Sequence, residues 1–284
     1  MEPIYFSSPG MLDALVELLR RRGHPTDAVQ IVLGMNAPYL LVHENDAYFA
    51  GEGLYQPRWL NLYLHPLGFS MAAETLPAEM IPARLRSLET AILPLQLCME
   101  RPRPQLFTGY AKGRYSFRAV HPKGETGELS LSLPMLRRRL PEAVRLCTVD
   151  SCTPHTPDFL PLLMTSLDNI QTYKAALLAA RELTITRADL RRMRDPLFRA
   201  LMRDMRPMAL LIGDRPLQEE LLLLEHDFRH IFTENDPESQ LLAIRLPKGS
   251  ITRCLTWLYE DVLDRAFELG ADDDMMASRL TMRR

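Results

Sequence analysis

Long apolar runs, an excess of one charge and a recognisable export signal are all missing from this sequence. No segment approaches the roughly 18 uninterrupted apolar residues of a membrane-spanning helix, so we expect no membrane association. Lys and Arg number 34 against 36 Asp and Glu, which gives no global reason to expect nucleic acid or an acidic substrate. The first residues carry neither a basic stretch nor an apolar run, so we expect no signal peptide and a cytoplasmic location.

Cysteine is scarce, and cofactor motifs are absent. The four cysteines are Cys98, Cys147, Cys152 and Cys254. Without an export signal, we expect them to be reduced thiols. The C-x4-C spacing of Cys147 and Cys152 has no second pair to complete a zinc site. The chain contains neither a G-x-G-x-x-G motif nor a P-loop, and we therefore expect no cofactor and no metal.

Two patterns divide the chain. Its 284 residues are 46% hydrophobic and 25% charged, which is the balance of a globular protein with a sizeable core. Residues 1–150 mix helical and strand patterns, whereas helical periodicity dominates residues 151–284. The connecting stretch CTVDSCTPHTPDF is rich in turn-forming residues. We therefore predict an α+β fold, with a mixed domain over 1–150 and an all-helical domain over 151–284.

The first two elements are a helix and an apolar run. Ser8 as a cap, Pro9 at the first helical position and Gly23 as a terminator predict a helix over 8–22. The run AVQIVLGM then indicates a strand that ends at Gly34.

Helices and closely spaced strands follow in the first half. PRWLNLYLHPLG and PARLRSLETAI have helical patterns. Three strands are predicted over 93–99, 105–111 and 114–120. The Lys112-Gly113 step between the last two predicts a hairpin. ELSLSLPMLRRRLP predicts a further strand and then a short helix.

This order of elements resembles a known family. A helix ending in R-x-x-G, an apolar strand ending in glycine, an amphipathic helix and three strands are similar to the papain-like domain of the bacteriocin-processing cysteine peptidases. The resemblance is closer to the N-terminal domain of the butirosin-biosynthesis acyltransferase family. In these proteins a cysteine begins the first helix, and a glycine follows thirteen positions later. The residues that match the family pattern are Ala14, Leu15, Leu18, Leu19, Arg20, Gly23 and the pair Gly109-Tyr110.

The catalytic positions of that family fall on other residue types here. Counting back thirteen residues from Gly23 places the nucleophile position at Gly10. The family histidine precedes the Gly-Tyr pair by six residues, which corresponds to Arg103. The acidic residue that orients the histidine corresponds to His121, which precedes a proline. The resemblance implies that all three line the cleft, so we expect Gly10, Arg103 and His121 to bind a ligand and none to be catalytic.

The chemistry of acyl transfer explains why these differences matter. A cysteine at a helix N-terminus has a stabilised thiolate, and it needs a base within hydrogen-bond reach. Gly10 has no side chain, and an arginine at position 103 carries no lone pair to accept a proton. Ser8 is an alternative nucleophile. However, two residues correspond to about 200° of rotation around a helix, and capping would occupy its hydroxyl group.

Two further patterns occur in the second half. EHDFRH places His226 and His230 on one helical face, but Asp227 stands where the zinc-protease motif has glutamate, so we expect a solvated face without metal. The arginine-rich stretch over 187–206 could bind an acidic partner. Its interleaved aspartates favour an ordinary polar helix face.

These observations favour a catalytically inactive papain-like binding or accessory protein. Its expected ligand is an acyl chain, a peptide or a carrier protein, in bacterial biosynthesis of a peptide or acylated natural product. The helical domain is a candidate surface for homo-oligomer formation, and no base-reading motif points to nucleic acid. Two alternatives stay open: an active acyltransferase or hydrolase that uses Ser8 or another nucleophile, and a helical protein-interaction module.

Overall fold

The chain divides into two compact units that interleave along the sequence. The computed structural model describes residues 9–44, 47–97, 102–120, 126–179, 184–186, 209, 211–223, 237–241, 243–245 and 248–272. The first unit, called the sheet unit here, comprises Ser8–Met35 and Tyr55–Pro157. The second, called the helical unit, includes Asn36–Leu54 and Asp158–Arg284. The predicted domain boundary between residues 150 and 151 stays a prediction.

Helices and strands follow one another along the described residues. The helices are α1 (Pro9–Arg21), α2 (Ala28–Gly34), α3 (Pro57–Leu64), α4 (Ile81–Arg86), α5 (Leu133–Arg139), α6 (Leu160–Ala179), α7 (Pro237–Leu241) and α8 (Lys248–Glu268), with a further helical run over 215–223. The strands are β1 (Val42–Glu44), β2 (Ala47–Phe49), β3 (Phe69–Pro77), β4 (Ala91–Leu95), β5 (Arg103–Ala111), β6 (Arg114–Val120), β7 (Thr126–Ser132), β8 (Ala143–Ser151), β9 (Thr184–Thr186) and β10 (Ala243–Arg245).

A six-stranded antiparallel sheet forms the centre of the sheet unit. Its strand order is β3-β8-β4-β5-β6-β7. The hairpin between β5 and β6 turns at Lys112 and Gly113, whose φ angles are 49° and 76°. Positive φ at both central residues matches the right-handed twist of the flanking strands, which is why a glycine is favoured there. The predicted pairing of 105–111 with 114–120 is thus present.

Helices cover both faces of this sheet. Helix α1 packs mainly on β5, and its Leu12, Leu15 and Leu19, spaced by three and four residues, are completely buried. On the other face, α4 and α5 cover a core that includes Ile81, Leu85, Phe107, Tyr115, Phe117, Leu131 and Leu136. Because side chains alternate along a strand, Leu106, which is also buried, faces the α1 side. Burial of each such large side chain contributes about 1.5–3 kcal/mol.

The run AVQIVLGM forms helix α2, so its prediction as a strand is wrong. Asp27 has an extended backbone and accepts a hydrogen bond from the Gln30 N–H at 2.8 Å. This is an N-cap, which satisfies a donor that the first helical turn leaves free. Ile31 and Val32 are then buried on one side of the helix. A short apolar run is compatible with a strand or a helix, and here the cap decides for the helix.

Strands β3 and β8 are additions that the sequence patterns did not reveal. They pair along their full length, from Phe69 opposite Ser151 to Pro77 opposite Ala143. Strand β8 lies between β3 and β4, which brings residues about 50 to 80 positions apart into register. The predicted helix PARLRSLETAI is shortened to α4, and its last two residues already belong to β4.

Helices α6 and α8 pack along each other and build the core of the helical unit. Their buried side chains include Leu163, Leu167, Ile170, Ile251, Leu255, Leu258 and Val262. Ser166, which is completely buried, accepts the Leu41 N–H at 3.0 Å, and the Asn169 side-chain amide donates to the Leu41 carbonyl oxygen at 2.8 Å. Both backbone polar groups of Leu41 are therefore satisfied by α6, which fixes the segment that leads into β1.

The prediction of an all-helical second half is wrong at two described segments. Strands β9 and β10 pair antiparallel, from Thr184 opposite Arg245 to Thr186 opposite Ala243. The β-branched residues Thr184, Ile185 and Thr186 favour an extended backbone. The described chain is thus a mixed α and β protein built on a six-stranded sheet. Among its described helices, none is both long and apolar enough to cross a membrane.

Candidate functional site

Close packing leaves no room for a side chain at Gly10. It is the second residue of α1 and is buried. A Cβ atom at this position would lie 3.1 Å from Cδ of Pro104 and 3.3 Å from its carbonyl oxygen. Both distances are shorter than an ordinary van der Waals contact of 3.4–4 Å. Helix α1 therefore approaches β5 this closely because position 10 has no side chain.

Arg103 lies at the end of β5 that packs against Gly10 of α1. It is the first residue of the strand, pairs with Leu95, and immediately precedes Pro104, which contacts Gly10. Side chains alternate along a strand, so Pro104 faces α1, whereas Arg103 faces the other side of the sheet together with its partner Leu95. The backbones of two of the three predicted site residues are therefore close, but their side-chain positions lie on opposite faces of the sheet. His121, the third, lies outside the described residues, as does Ser8.

Gly109 of the family-like Gly-Tyr pair has a structural role. Its φ angle is +142°, a region that favours glycine. The register of β5 against β6 shifts between Phe107 and Gly109, as expected for a β-bulge. The glycine is therefore required by the path of the strand, and the pair alone is no indication of catalysis.

Two of the cysteines are poor nucleophiles. Cys147 and Cys254 are buried free thiols. Burial raises the pKa of Cys147, and burial together with the negative charge of Glu220 raises the pKa of Cys254 to about 12. Because the thiolate is the reactive form, neither thiol is activated at neutral pH. Cys152 is a half-buried free thiol, and Cys98 lies outside the described residues.

The remaining predicted features fall largely on undescribed parts of the chain. His226, His230 and the arginine-rich stretch 187–206 all lie outside the described residues. Within the part of the chain that the structure does describe, no three His, Cys, Asp or Glu side chains are grouped closely enough to hold a metal ion.

A polar pocket, which the sequence analysis missed, lies at the other end of α1. We call it the β5–β7 pocket, and its volume is about 330 Å³. Its polar lining consists of Arg21, Thr108, Ser116, Arg118, Glu128 and Ser130. The sequence carries a signal for it, since polar residues occupy every second position of RYSFR and of ELSLS. That alternation shows a polar face, but not which strands place their polar faces side by side.

Two carboxyl groups meet in the helical unit. Asp214 accepts the Leu217 N–H at 3.0 Å, and Oδ2 of Asp214 and Oδ2 of Asp261 are both buried. Burial, the hydrogen bond to Asp214 and the negative charges of Asp214, Asp264 and Glu260 raise the pKa of Asp261 to about 7. Asp261 therefore binds or releases a proton around neutral pH, beside the second carboxyl group of Asp214.

Comparison of the chain with protein-family models and with curated proteins finds no match to either. The site therefore has to be interpreted from its own residues. Its distinctive features are a helix N-terminus without a nucleophile at position 10 and an arginine on the adjoining strand end.

Proposed function

We propose that the chain is a catalytically inactive protein of papain-like architecture, which binds an acyl chain, a peptide or a carrier protein without turnover. In this proposal a papain-like domain is followed by a largely helical one. The observation that carries the proposal is Gly10. Its contact with Pro104 fills the space that a reactive side chain would need at the position where the similar families have cysteine.

The arrangement of α1, β5 and β6 supports a retained cleft. Helix α1 packs on β5, and β5 pairs antiparallel with β6 from Leu106 opposite Arg118 to Ala111 opposite Arg114. The resemblance implies this arrangement for the helix that carries the nucleophile and the strand that carries the histidine. A cleft of this kind keeps its shape when the nucleophile is lost, because apolar packing and strand pairing hold its walls.

Arg103 gives the proposed cleft its ligand preference. At the position of the family histidine, a guanidinium group cannot accept a proton from a nucleophile, but it can donate two parallel hydrogen bonds to a carboxylate. In this proposal the anionic end of an acyl or peptide ligand binds the Arg103 guanidinium group at the start of β5. His121 is the expected third contact.

The proposed setting is the bacterial cytoplasm. An accessory protein that holds an acyl or peptide chain suits the biosynthesis of a peptide or acylated natural product, where intermediates are passed between proteins. A carrier protein that presents the acyl chain is the expected partner.

Octanoate is a suitable probe because it combines an acyl chain with a carboxylate. We expect calorimetric titration to show binding that Arg103→Gln weakens at least about tenfold, since a charge-assisted hydrogen bond is lost. Arg215→Gln, at an exposed position in the helical unit, is the matched control and should bind as the unmodified chain does. Equal octanoate affinity in the Arg103 and Arg215 variants would contradict the proposed cleft.

A further inference from the structure

We propose that the β5–β7 pocket is a second binding site, for a small organic anion. The ligand would carry a carboxylate or phosphate group with neighbouring hydroxyl or amide groups. This site is independent of the function proposed for Gly10 and Arg103, because it lies at the opposite end of α1, beside Arg21.

Strand alternation builds the polar wall of the pocket. On β6, Phe117 faces the core beneath α4 and α5, so Ser116 and Arg118 face the other side of the sheet. Strand register then places Ser116 opposite Ser130, and Arg118 opposite Glu128. The pairs Ser116–Ser130 and Arg118–Glu128 therefore lie next to each other on the same face of β6 and β7. One polar ligand could contact both pairs.

The end of α1 and a glycine leave room for a ligand. Helix α1 packs mainly on β5 and ends at Arg21, so the sheet beyond it is less covered. Gly109 pairs with Ser116, and a Cβ atom at Gly109 would meet nothing within 4 Å. The resulting volume of about 330 Å³ is at the lower end of the range of roughly 300–1,000 Å³ for small-molecule sites. This size suits a metabolite-sized molecule.

One carboxylate is shared by three guanidinium groups at the helix side of the pocket. Glu17 accepts from Arg20 at 3.3 Å and from Arg21 at 3.1 Å, and it lies 3.9 Å from Nε of Arg118. Among the described charged residues around the pocket, Arg20, Arg21, Arg114 and Arg118 outnumber the carboxylates Glu17 and Glu128. This excess of positive charge favours an anion in the space between Arg21 and Arg118.

The strand side of the pocket is also positive. Glu128 approaches Arg118 at 3.8 Å, but 84% of its side chain is exposed, so water screens the pair. Arg114 adds a further cation, which is held in place by two 2.8 Å hydrogen bonds to the side chain and carbonyl oxygen of Ser130. A planar guanidinium group suits both carboxylate and phosphate, since each accepts two parallel hydrogen bonds.

Two hydroxyl groups give the pocket its second recognition element. Thr108 and Ser116 both line the pocket, and a hydroxyl group donates one hydrogen bond and accepts two. A ligand whose anionic group binds the guanidinium groups would therefore place hydroxyl or amide groups against these side chains.

The probes are inorganic phosphate, citrate, O-phosphoserine and, as an uncharged comparison, glycerol. We expect citrate or O-phosphoserine to bind the unmodified chain with a dissociation constant of about 1 mM or lower, and glycerol not to bind. Arg118→Gln should weaken binding at least about tenfold. Ser116→Tyr should remove it by filling the space beside Gly109, while every charge is kept. Circular dichroism melting of each variant establishes that it is folded.

Arg138→Gln is the matched charge control, because Arg138 is an exposed arginine on the other face of the sheet. It should leave the affinity unchanged. Binding of O-phosphoserine that inorganic phosphate displaces would identify phosphate as the bound group, and binding of citrate that inorganic phosphate does not displace would identify carboxylate. Loss of affinity in Arg138→Gln equal to that in Arg118→Gln, unchanged affinity in Ser116→Tyr, or no binding of any anionic probe would overturn the proposal.

Discussion

At position 10, two effects on the stability of α1 oppose each other. A glycine inside a helix costs roughly 0.5–1 kcal/mol relative to alanine. The ring and carbonyl group of Pro104, however, occupy the space that a methyl group would need. Pro104 is part of β5 and pairs with Pro94, so it has little freedom to move.

We expect Gly10→Ala to lower the free energy of unfolding by about 1 kcal/mol, because overpacking typically costs 1–3 kcal/mol and exceeds the helix gain. Urea unfolding measures this difference. Gly127→Ala is the control, since Gly127 lies in β7 and a Cβ atom there would meet nothing within 4 Å. It should be unchanged or slightly more stable. If the Gly10→Ala protein were as stable as the unmodified chain, Pro104 of β5 would move aside at little cost, which would contradict the overpacking argument.

Asp261 makes the stability of the helical unit depend on pH. Its pKa rises from an ordinary 3.8 to about 7 in the folded chain. Because the folded state holds this proton more tightly than the unfolded state, its stabilising contribution is complete below pH about 3.8 and is lost as the pH rises through about 7. Melting temperature should therefore fall between about pH 5 and pH 7.5, and Asp261→Asn should flatten that fall.

The control for the pH profile is Asp150→Asn. Asp150 is an exposed residue of β8 in the sheet unit, so its replacement should leave the slope of the melting temperature against pH unchanged. An Asp261→Asn profile as steep as that of the unmodified chain would show that other groups cause the dependence.

At the scale of elements, the cap on α2 decides its conformation. Removal of the Asp27 side chain leaves the Gln30 N–H without its 2.8 Å partner. We expect Asp27→Ala to cost about 1 kcal/mol of unfolding free energy. Asp27→Asn should restore most of it, because an asparagine side-chain oxygen caps equally well. Urea unfolding of the three proteins checks this, and equal stability of the Ala and Asn variants would remove the cap as the cause.

Sequence patterns predict those elements whose local signals agree with their surroundings. Helix α1 and the β5–β6 hairpin carry their own caps and turn residues, so both were predicted. Strand β3 was missed because its second half is mostly exposed and lacks a regular apolar alternation. Strand β8 was missed because its position between β3 and β4 depends on pairing with distant residues. Its buried Val144 and Leu146 alternate with exposed residues, but this short pattern has no local partner.

At the scale of the whole molecule, the candidate sites differ in how far the sequence predicts them. The family resemblance implied that Gly10 and Arg103 line one cleft, and that stays a prediction; the structure shows that Gly10 packs against Pro104, the residue that follows Arg103. The contact that excludes a side chain at position 10 depends on how α1 docks on β5. The β5–β7 pocket and the Asp214–Asp261 pair likewise depend on strand register and chain path, which no single segment encodes.

The interleaved units follow from the same long-range packing. Residues 36–54 belong to the helical unit, although the segments before and after them belong to the sheet unit. Within the helical unit, the hydrogen bonds from Ser166 and Asn169 to Leu41 link segments more than 120 positions apart. The composition of the chain carries no signal that residues 36–54 belong to the helical unit.

The central claim is that the start of α1 binds without performing nucleophilic chemistry. The most direct test combines a fluorophosphonate and iodoacetamide with mass mapping of the labelled peptides, and with an assay of p-nitrophenyl octanoate hydrolysis. We expect Ser7 and Ser8 to stay unlabelled and hydrolysis to proceed at the buffer rate, since Gly10 offers no nucleophile. Stoichiometric labelling of Ser8, together with hydrolysis that Ser8→Ala abolishes, would contradict it and establish an active enzyme.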